Sequence, residues 1–166
     1  AINMLSTDTG ELTAGNPKQC LTLYFPPGDF LTTRTLELGA NRTAHSSGGL
    51  QWVSLLGHGA ATRIIWGGAG VNASMLWSNG CTRCRVEGLS FVGNHRAGVG
   101  LDHRSFSRYE SRFLHINLAF DAFTIAGIRA GKTPYGTASA EMLYQNCMFS
   151  NSTTGLQLLS ANQYDN

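Results

Sequence analysis

Asp102, His103 and Arg104 stand side by side just after a short apolar run that ends at Leu101. Asp121 precedes and Arg129 follows a second such run, Glu110 lies between the two, and Lys132 and Tyr135 sit on a polar stretch further on. A carboxylate, an imidazole and guanidinium groups held in neighbouring turns of chain are the set that chemistry on a sugar requires. Hydrolysis of a glycoside needs two carboxyl groups roughly 5 to 9.5 Å apart, one as acid and the other as nucleophile or base. Asp102 with Asp121 would be that pair. A lyase or epimerase needs a base for the sugar proton beside groups that stabilise an enolate-like charge, which His103 or Arg129 next to Asp102 could supply. The expected catalytic set is therefore Asp102, Asp121, His103 and Arg129, with Arg104, Lys132 and Tyr135 contacting substrate. A structural reading competes with it, since Asp102 beside Arg104 could be a surface ion pair worth about 0 to 1 kcal/mol.

Other chemistry-bearing residues are less ordered in sequence. Trp52, Trp66 and Trp77 fall on successive early apolar runs. Trp66 and Trp77 could offer flat apolar area and an N–H to a sugar ring, or all three could fill a core. His115 alternates with apolar neighbours and reads as a hydrogen-bonded wall residue. His45, His58 and His95 occupy separate turns with no His-x-x-x-His spacing, and the ten acidic residues are dispersed, so no metal site is expected. Cys81-Thr82-Arg83-Cys84 has the spacing of half a zinc site, but Cys20 and Cys147 supply no second close pair. The runs Gly67-Gly68-Ala69-Gly70 and Gly98-Val99-Gly100 precede no helix start, so they make no nucleotide loop and no cofactor is expected.

The elements that must hold these residues are short strands. Leu89 to Asn94 is followed by Gly98 to Leu101, Phe113 to Asn117 by Ala122 to Gly127, and Cys147 to Asn151 by Gly155 to Leu159. Apolar runs that recur in this way, with a polar Gly-rich insertion from Lys132 to Ala138, are the pattern of a β-solenoid. Each coil cannot bury its own apolar face and must stack on a neighbour. Val99, Phe123 and Leu156 are then the expected vertical neighbours, and Asn94, Asn117 and Asn151 an expected turn ladder. Upstream, Leu21 to Phe25, Phe30 to Thr32, Thr35 to Leu38, Trp52 to Gly57, Thr62 to Gly67, Ser74 to Trp77 and Cys84 to Gly88 read as further strands, broken by Pro26-Pro27-Gly28 and by Gly, Asn and Ser turns. Only Asn79-Gly80 resembles a tight hairpin turn, which favours parallel coils over an antiparallel sandwich. The fold class expected is an all-β, right-handed parallel β-helix of about five to six coils. Residues 1–19 would form a cap or lead-in and residues 20–166 the β-helix domain, as part of a longer protein or alone.

Composition bounds the partners. The 166 residues are 42% hydrophobic and 13% charged, with 20 glycines and a formal net charge of +2. That is too apolar for disorder, and the scattered arginines form no basic stripe of the kind that tracks a nucleic acid. No stretch reaches eighteen apolar residues, so no helical membrane span is expected. Ala1 to Gly10 has no basic segment leading into an apolar core, so a secretion signal is expected to be absent or already removed. Asn41-Arg42-Thr43, Asn72-Ala73-Ser74 and Asn151-Ser152-Thr153 match the N-glycosylation pattern, which is compatible with an extracellular protein.

The run Leu21 to Phe30 with its Pro26-Pro27-Gly28 step, then Val53-Ser54-Leu55-Leu56-Gly57-His58-Gly59 and Thr62-Arg63-Ile64-Ile65, resembles the opening coils of right-handed parallel β-helix proteins of the pectate-lyase-like superfamily. The resemblance covers residues 21–101 by motif and the remainder by repeat. It implies a secreted, carbohydrate-active protein that binds and cleaves or modifies a polysaccharide as a lyase or glycoside hydrolase. The same superfamily includes non-catalytic glycan-binding or structural modules of surface and virion assemblies, so fold alone does not choose between them. In either case another chain or segment is expected to cover the C-terminal coil, because an uncapped coil leaves strand edges unpaired.

Overall fold

The computed structural model describes residues 22–39, 52–79, 81–104, 110–131 and 139–159. Three parallel sheets wrap these segments, each five strands deep, so that the sheets span four coil-to-coil steps. The first coil holds β1 (Thr22–Tyr24), β2 (Gly28–Thr32) and β3 (Leu36–Gly39). The second holds β4 (Ser54–Leu56), β5 (Thr62–Trp66) and β6 (Ser74–Asn79), and the third β7 (Arg85–Glu87), β8 (Ser90–Val92) and β9 (Val99–His103). A short β10 (Glu110–Ser111) precedes the fourth coil of β11 (Leu114–Ile116), β12 (Ala119–Asp121) and β13 (Ala126–Ala130). β14 (Ser139–Ala140) pairs with β10 and precedes the fifth coil of β15 (Leu143–Gln145), β16 (Met148–Ser150) and β17 (Leu156–Leu158). Sheet A stacks β1-β4-β7-β11-β15, sheet B β2-β5-β8-β12-β16 and sheet C β3-β6-β9-β13-β17. This is a short parallel β-helix, consistent with the right-handed winding that parallel crossovers almost always take.

Period-two alternation decides which residues face inward. Sheet B contributes the column Phe30, Ile64, Phe91, Phe120, Phe149. Phe91 stacks on Phe120 at 5.2 Å between ring centroids, and Phe120 on Phe149 at 5.4 Å. Room for these rings comes from glycines across the core: a Cβ on Gly100 would lie 2.6 Å from the Phe120 ring, and one on Gly127 would lie 2.5 Å from the Phe149 ring. Sheet A adds Leu23, Leu55, Val86, His115 and Tyr144, and sheet C adds Leu36, Leu76, Leu101, Ile128 and Leu156. The chain enters sheet A through a left-handed residue in four successive coils: Trp52, Arg83, Arg112 and Glu141 have φ of 59°, 55°, 55° and 52°.

The expected register needs correction. Val99 pairs with Ala126, and Leu101 stacks on Ile128 and Ile128 on Leu156, so Phe123 is not in that column. Phe113 to Asn117 is not the counterpart of Leu89 to Asn94, because β11 pairs with β7 and β15 in sheet A while β8 pairs with β12. A coil holds three strands, and the stretch from Phe113 to Asp121 contains two of them. The turn ladder shifts accordingly. Following β7, β11 and β15, the equivalent corner positions are Gly88, Asn117 and Asn146, at φ of 63°, 53° and 51°. Asn146 donates its Nδ2–H to Asn117 Oδ1 at 3.2 Å. Asn94 and Asn151 belong instead to the corners after sheet B. The expected cap at 1–19 and the insertion from Lys132 to Ala138 lie outside the described residues.

Candidate functional site

Strand β9 carries the densest polar chemistry of the described residues, and it carries it on both faces. Outward, sheet C presents the column Glu37, Trp77, Asp102, Arg129 and Gln157. Asp102 is nonetheless fully buried. Its carboxylate accepts a hydrogen bond from Ser74 Oγ at 2.6 Å, a fork from Arg104 at 3.0 Å (Nε to Oδ1) and 2.8 Å (Nη2 to Oδ2), and a second fork from Arg129 at 3.4 and 2.8 Å. The backbone N–H of Arg104 adds a bond of 3.2 Å to Oδ1. Trp77, one coil above, donates Nε1–H to the carbonyl of Arg104 at 3.1 Å and so fixes that turn. Burial pushes the Asp102 carboxyl upward, but the hydrogen bonds from Arg104, Arg129 and Ser74 and the charge of Arg129 outweigh it and hold the pKa at about 2.

Inward, the next residue of β9 meets the core. His103 Nε2 lies 2.8 Å from His115 Nε2, and His115 Nδ1 lies 3.0 Å from the carbonyl oxygen of Leu143. A carbonyl only accepts, so Nδ1 of His115 carries the proton. The neutral ring then offers a lone pair at Nε2, and His103 must be the donor. Phe113 and Tyr144 stack on His115 at 4.9 and 4.5 Å, and Phe113 meets His103 edge-on at 4.7 Å. Burial lowers the His103 pKa to about 4 against the opposing charge of Asp102. Burial, with the neighbouring His103, puts His115 well below the usual histidine range.

The structure therefore brings together Asp102, Arg104 and Arg129 from the expected set, and places His103 beside them on the opposite face of the same strand. Asp121 stands apart, facing out from sheet B on β12, where it accepts from Ser150 Oγ at 2.7 Å and Asn151 Nδ2 at 2.8 Å. Those two bonds lower its pKa. Trp66 and Trp77 are 2% and 3% exposed, so neither offers a ring face to solvent; Trp66 joins the core. Lys132 and Tyr135 lie outside the described residues. Glu110 sits in β10. No group of three or more potential metal ligands occurs among the described residues, and no described helix is long and apolar enough to cross a membrane.

Ser74 and His115 were not among the expected site residues. Alternation places His115 in phase with Phe113 and His103 in phase with Leu101, so both point inward. Their meeting, like that of Ser74 with Asp102, depends on a register that only the stacked coils reveal. Chemically, the outer cluster is a closed clamp. Ser74 belongs to the second coil, Asp102 and Arg104 to the third, and Arg129 to the fourth, so one carboxylate ties three coils together.

Comparison with protein-family models, with curated proteins and with solved structures finds no match to this chain. The parallel β-helix rests on its own strand pairing.

Proposed function

We propose that this chain is a non-catalytic β-helix module of a larger surface or virion assembly, and that any glycan contact it makes is binding without bond cleavage. The observation that carries the reading is the state of Asp102. A general acid or base works best with a pKa near the operating pH and within reach of substrate. Asp102 is sealed from solvent, neutralised by two guanidinium groups and held at about 2. The hydrolase form of the polysaccharide-cleaving reading would need a second carboxylate on the same face, and the lyase form a base open to substrate, whereas His103 and Arg129 are buried. Asp121 is on a different sheet.

The fifth coil's exposed apolar side chains support a role in assembly. Among the described residues β15, β16 and β17 form one edge of the three sheets and β1, β2 and β3 the other. Phe149, Leu156 and Leu158 continue the inward columns yet are 38%, 36% and 58% exposed. Exposed apolar column ends on strands at a sheet edge suit the docking of a further β-strand from another chain or segment.

The test is incubation of the protein with uronate-containing and neutral polysaccharides, following ultraviolet absorbance for unsaturated products and reducing ends for hydrolysis. Neither should appear. Product formed by the wild type and lost in Asp102→Asn or Asp121→Asn would overturn the proposal and restore the catalytic set.

A further inference from the structure

The corner that leads the chain into sheet A carries a second set of side chains, and these face solvent. Trp52, Arg83, Arg112 and Glu141 hold the equivalent position in four successive coils, each at a left-handed φ. Arg112 Nε donates to Glu141 at 2.9 Å, and on the adjoining face of the sheet Arg85 pairs with Glu87. Trp52 and Arg83 stand apart from these pairs. Trp52 is 46% exposed, and the guanidinium carbon of Arg83, itself an exposed residue, lies 5.0 Å from the centre of the indole. Among the described residues no carboxylate pairs with Arg83. We propose that this corner docks a partner protein of the assembly, through a segment that presents an Asp or Glu carboxylate to Arg83 and lays a neighbouring apolar side chain on Trp52. The proposal rests on the assembly reading above and gives it a contact surface.

Three features of the corner point there. A φ of 59° is strained for a bulky aromatic, and packing does not offset the strain when nearly half of the residue is in water. Strain of this kind collects where a side chain must be presented to something else. A guanidinium resting on an indole face keeps its N–H edge available, and that planar fork matches a carboxylate. The stacking also holds the fork in place beforehand, so less side-chain freedom is lost on binding. Finally, the outward column of sheet A beside the corner runs Ser54, Arg85, Leu114, Leu143 and ends on a Leu143 that is 48% exposed. The corner is thereby continuous with the exposed apolar side chains of the fifth coil.

These surroundings favour a protein over a glycan. Sugar hydroxyls need acceptors, and the two carboxylates of the strip, Glu87 and Glu141, are already engaged by Arg85 and Arg112. An exposed ring, leucines and one cation without an anion suit a peptide carrying a single acidic residue. Trp and Arg are also the residue types that most often dominate protein interfaces.

Selection of random peptides from a displayed library on the full chain tests the proposal, each recovered peptide then being titrated by calorimetry. The variants are Arg83→Asn and Trp52→Gly, whose new residues suit a left-handed corner, with Arg63→Gln on sheet B as the control. Recovered peptides should carry Asp or Glu next to an apolar residue. Their affinity should fall about tenfold or more in Arg83→Asn and in Trp52→Gly, and stay at the wild-type value in Arg63→Gln. A selection that yields no peptide sensitive to both corner substitutions, or only peptides without an acidic residue, overturns the proposal. So does oligogalacturonate binding to the wild type that is lost in Trp52→Gly, which would make the corner a glycan site. None of these outcomes bears on polysaccharide cleavage, which alone decides the non-catalytic reading.

Discussion

Replacing Asp102 with Asn probes the clamp directly, because it removes the charge and leaves the shape. The Asn amide nitrogen would face a guanidinium, donor against donor, and the remaining oxygen could serve only part of the two forks now made by Arg104 and Arg129. The two arginines do not suffer equally. The Arg104 side chain is about one-third exposed and recovers hydration, whereas that of Arg129 is 10% exposed and is stranded. Removing one partner of a buried ion pair costs about 3 to 5 kcal/mol. For a chain of this size that is a fall in Tm of about 6 to 20 °C, at about 2 to 4 °C per kcal/mol. Calorimetry of the wild type and Asp102→Asn at pH 7 measures it. The double variant Asp102→Leu with Arg129→Met is the control, since replacing both members of a buried pair by apolar groups is often neutral. A loss below about 1 kcal/mol in Asp102→Asn would mean that the cluster behaves as a solvated surface pair, and the clamp would be refuted. Acid gives an independent check. With a folded pKa of about 2 against 3.8, the carboxylate's contribution is complete above pH 3.8 and is lost as pH falls through 2, amounting to about 2 kcal/mol.

Two further outcomes follow from packing. Gly100→Ala should destabilise by about 1 to 3 kcal/mol in chemical denaturation, because its Cβ would lie 2.6 Å from both the Phe120 ring and the backbone oxygen of Gly127, and backbone cannot step aside. Asn117→Ala should cost about 1 to 2 kcal/mol and Asn117→Gly less, since φ of 53° strains any Cβ-bearing residue without a local polar partner, while glycine adopts it freely. Equal losses for Ala and Gly at position 117 would show that the bond to Asn146 matters and the corner conformation does not.

Much of this architecture was legible from residue order. Strict alternation in Thr62–Trp66, Pro-Pro-Gly after Phe25 and recurring Asn and Gly corners specify short half-buried strands and turns, because side chains on a strand alternate faces whatever lies beside them. The same alternation sends Asp102 outward and His103 inward. The adjacency of Asp102 and Arg104 needs no tertiary information either, since they are two residues apart along the chain.

What lay beyond the sequence was which strand lies on which. Coil lengths vary because corners and insertions take up different numbers of residues, so spacing alone paired Val99 with Phe123 where the hydrogen-bonded ladder pairs it with Ala126. Three residues of register separate a shared groove from separate sheets, and that shift parts Asp121 from Asp102. Burial was hidden for the same reason. Asp102 looked like a surface carboxylate, and only the stacking of Ser74 above it and Arg129 below it made it a sealed anion. The chain order determined each residue's face; the stacking of coils, a long-range contact between strands far apart in sequence, decided its neighbours and hence its chemistry.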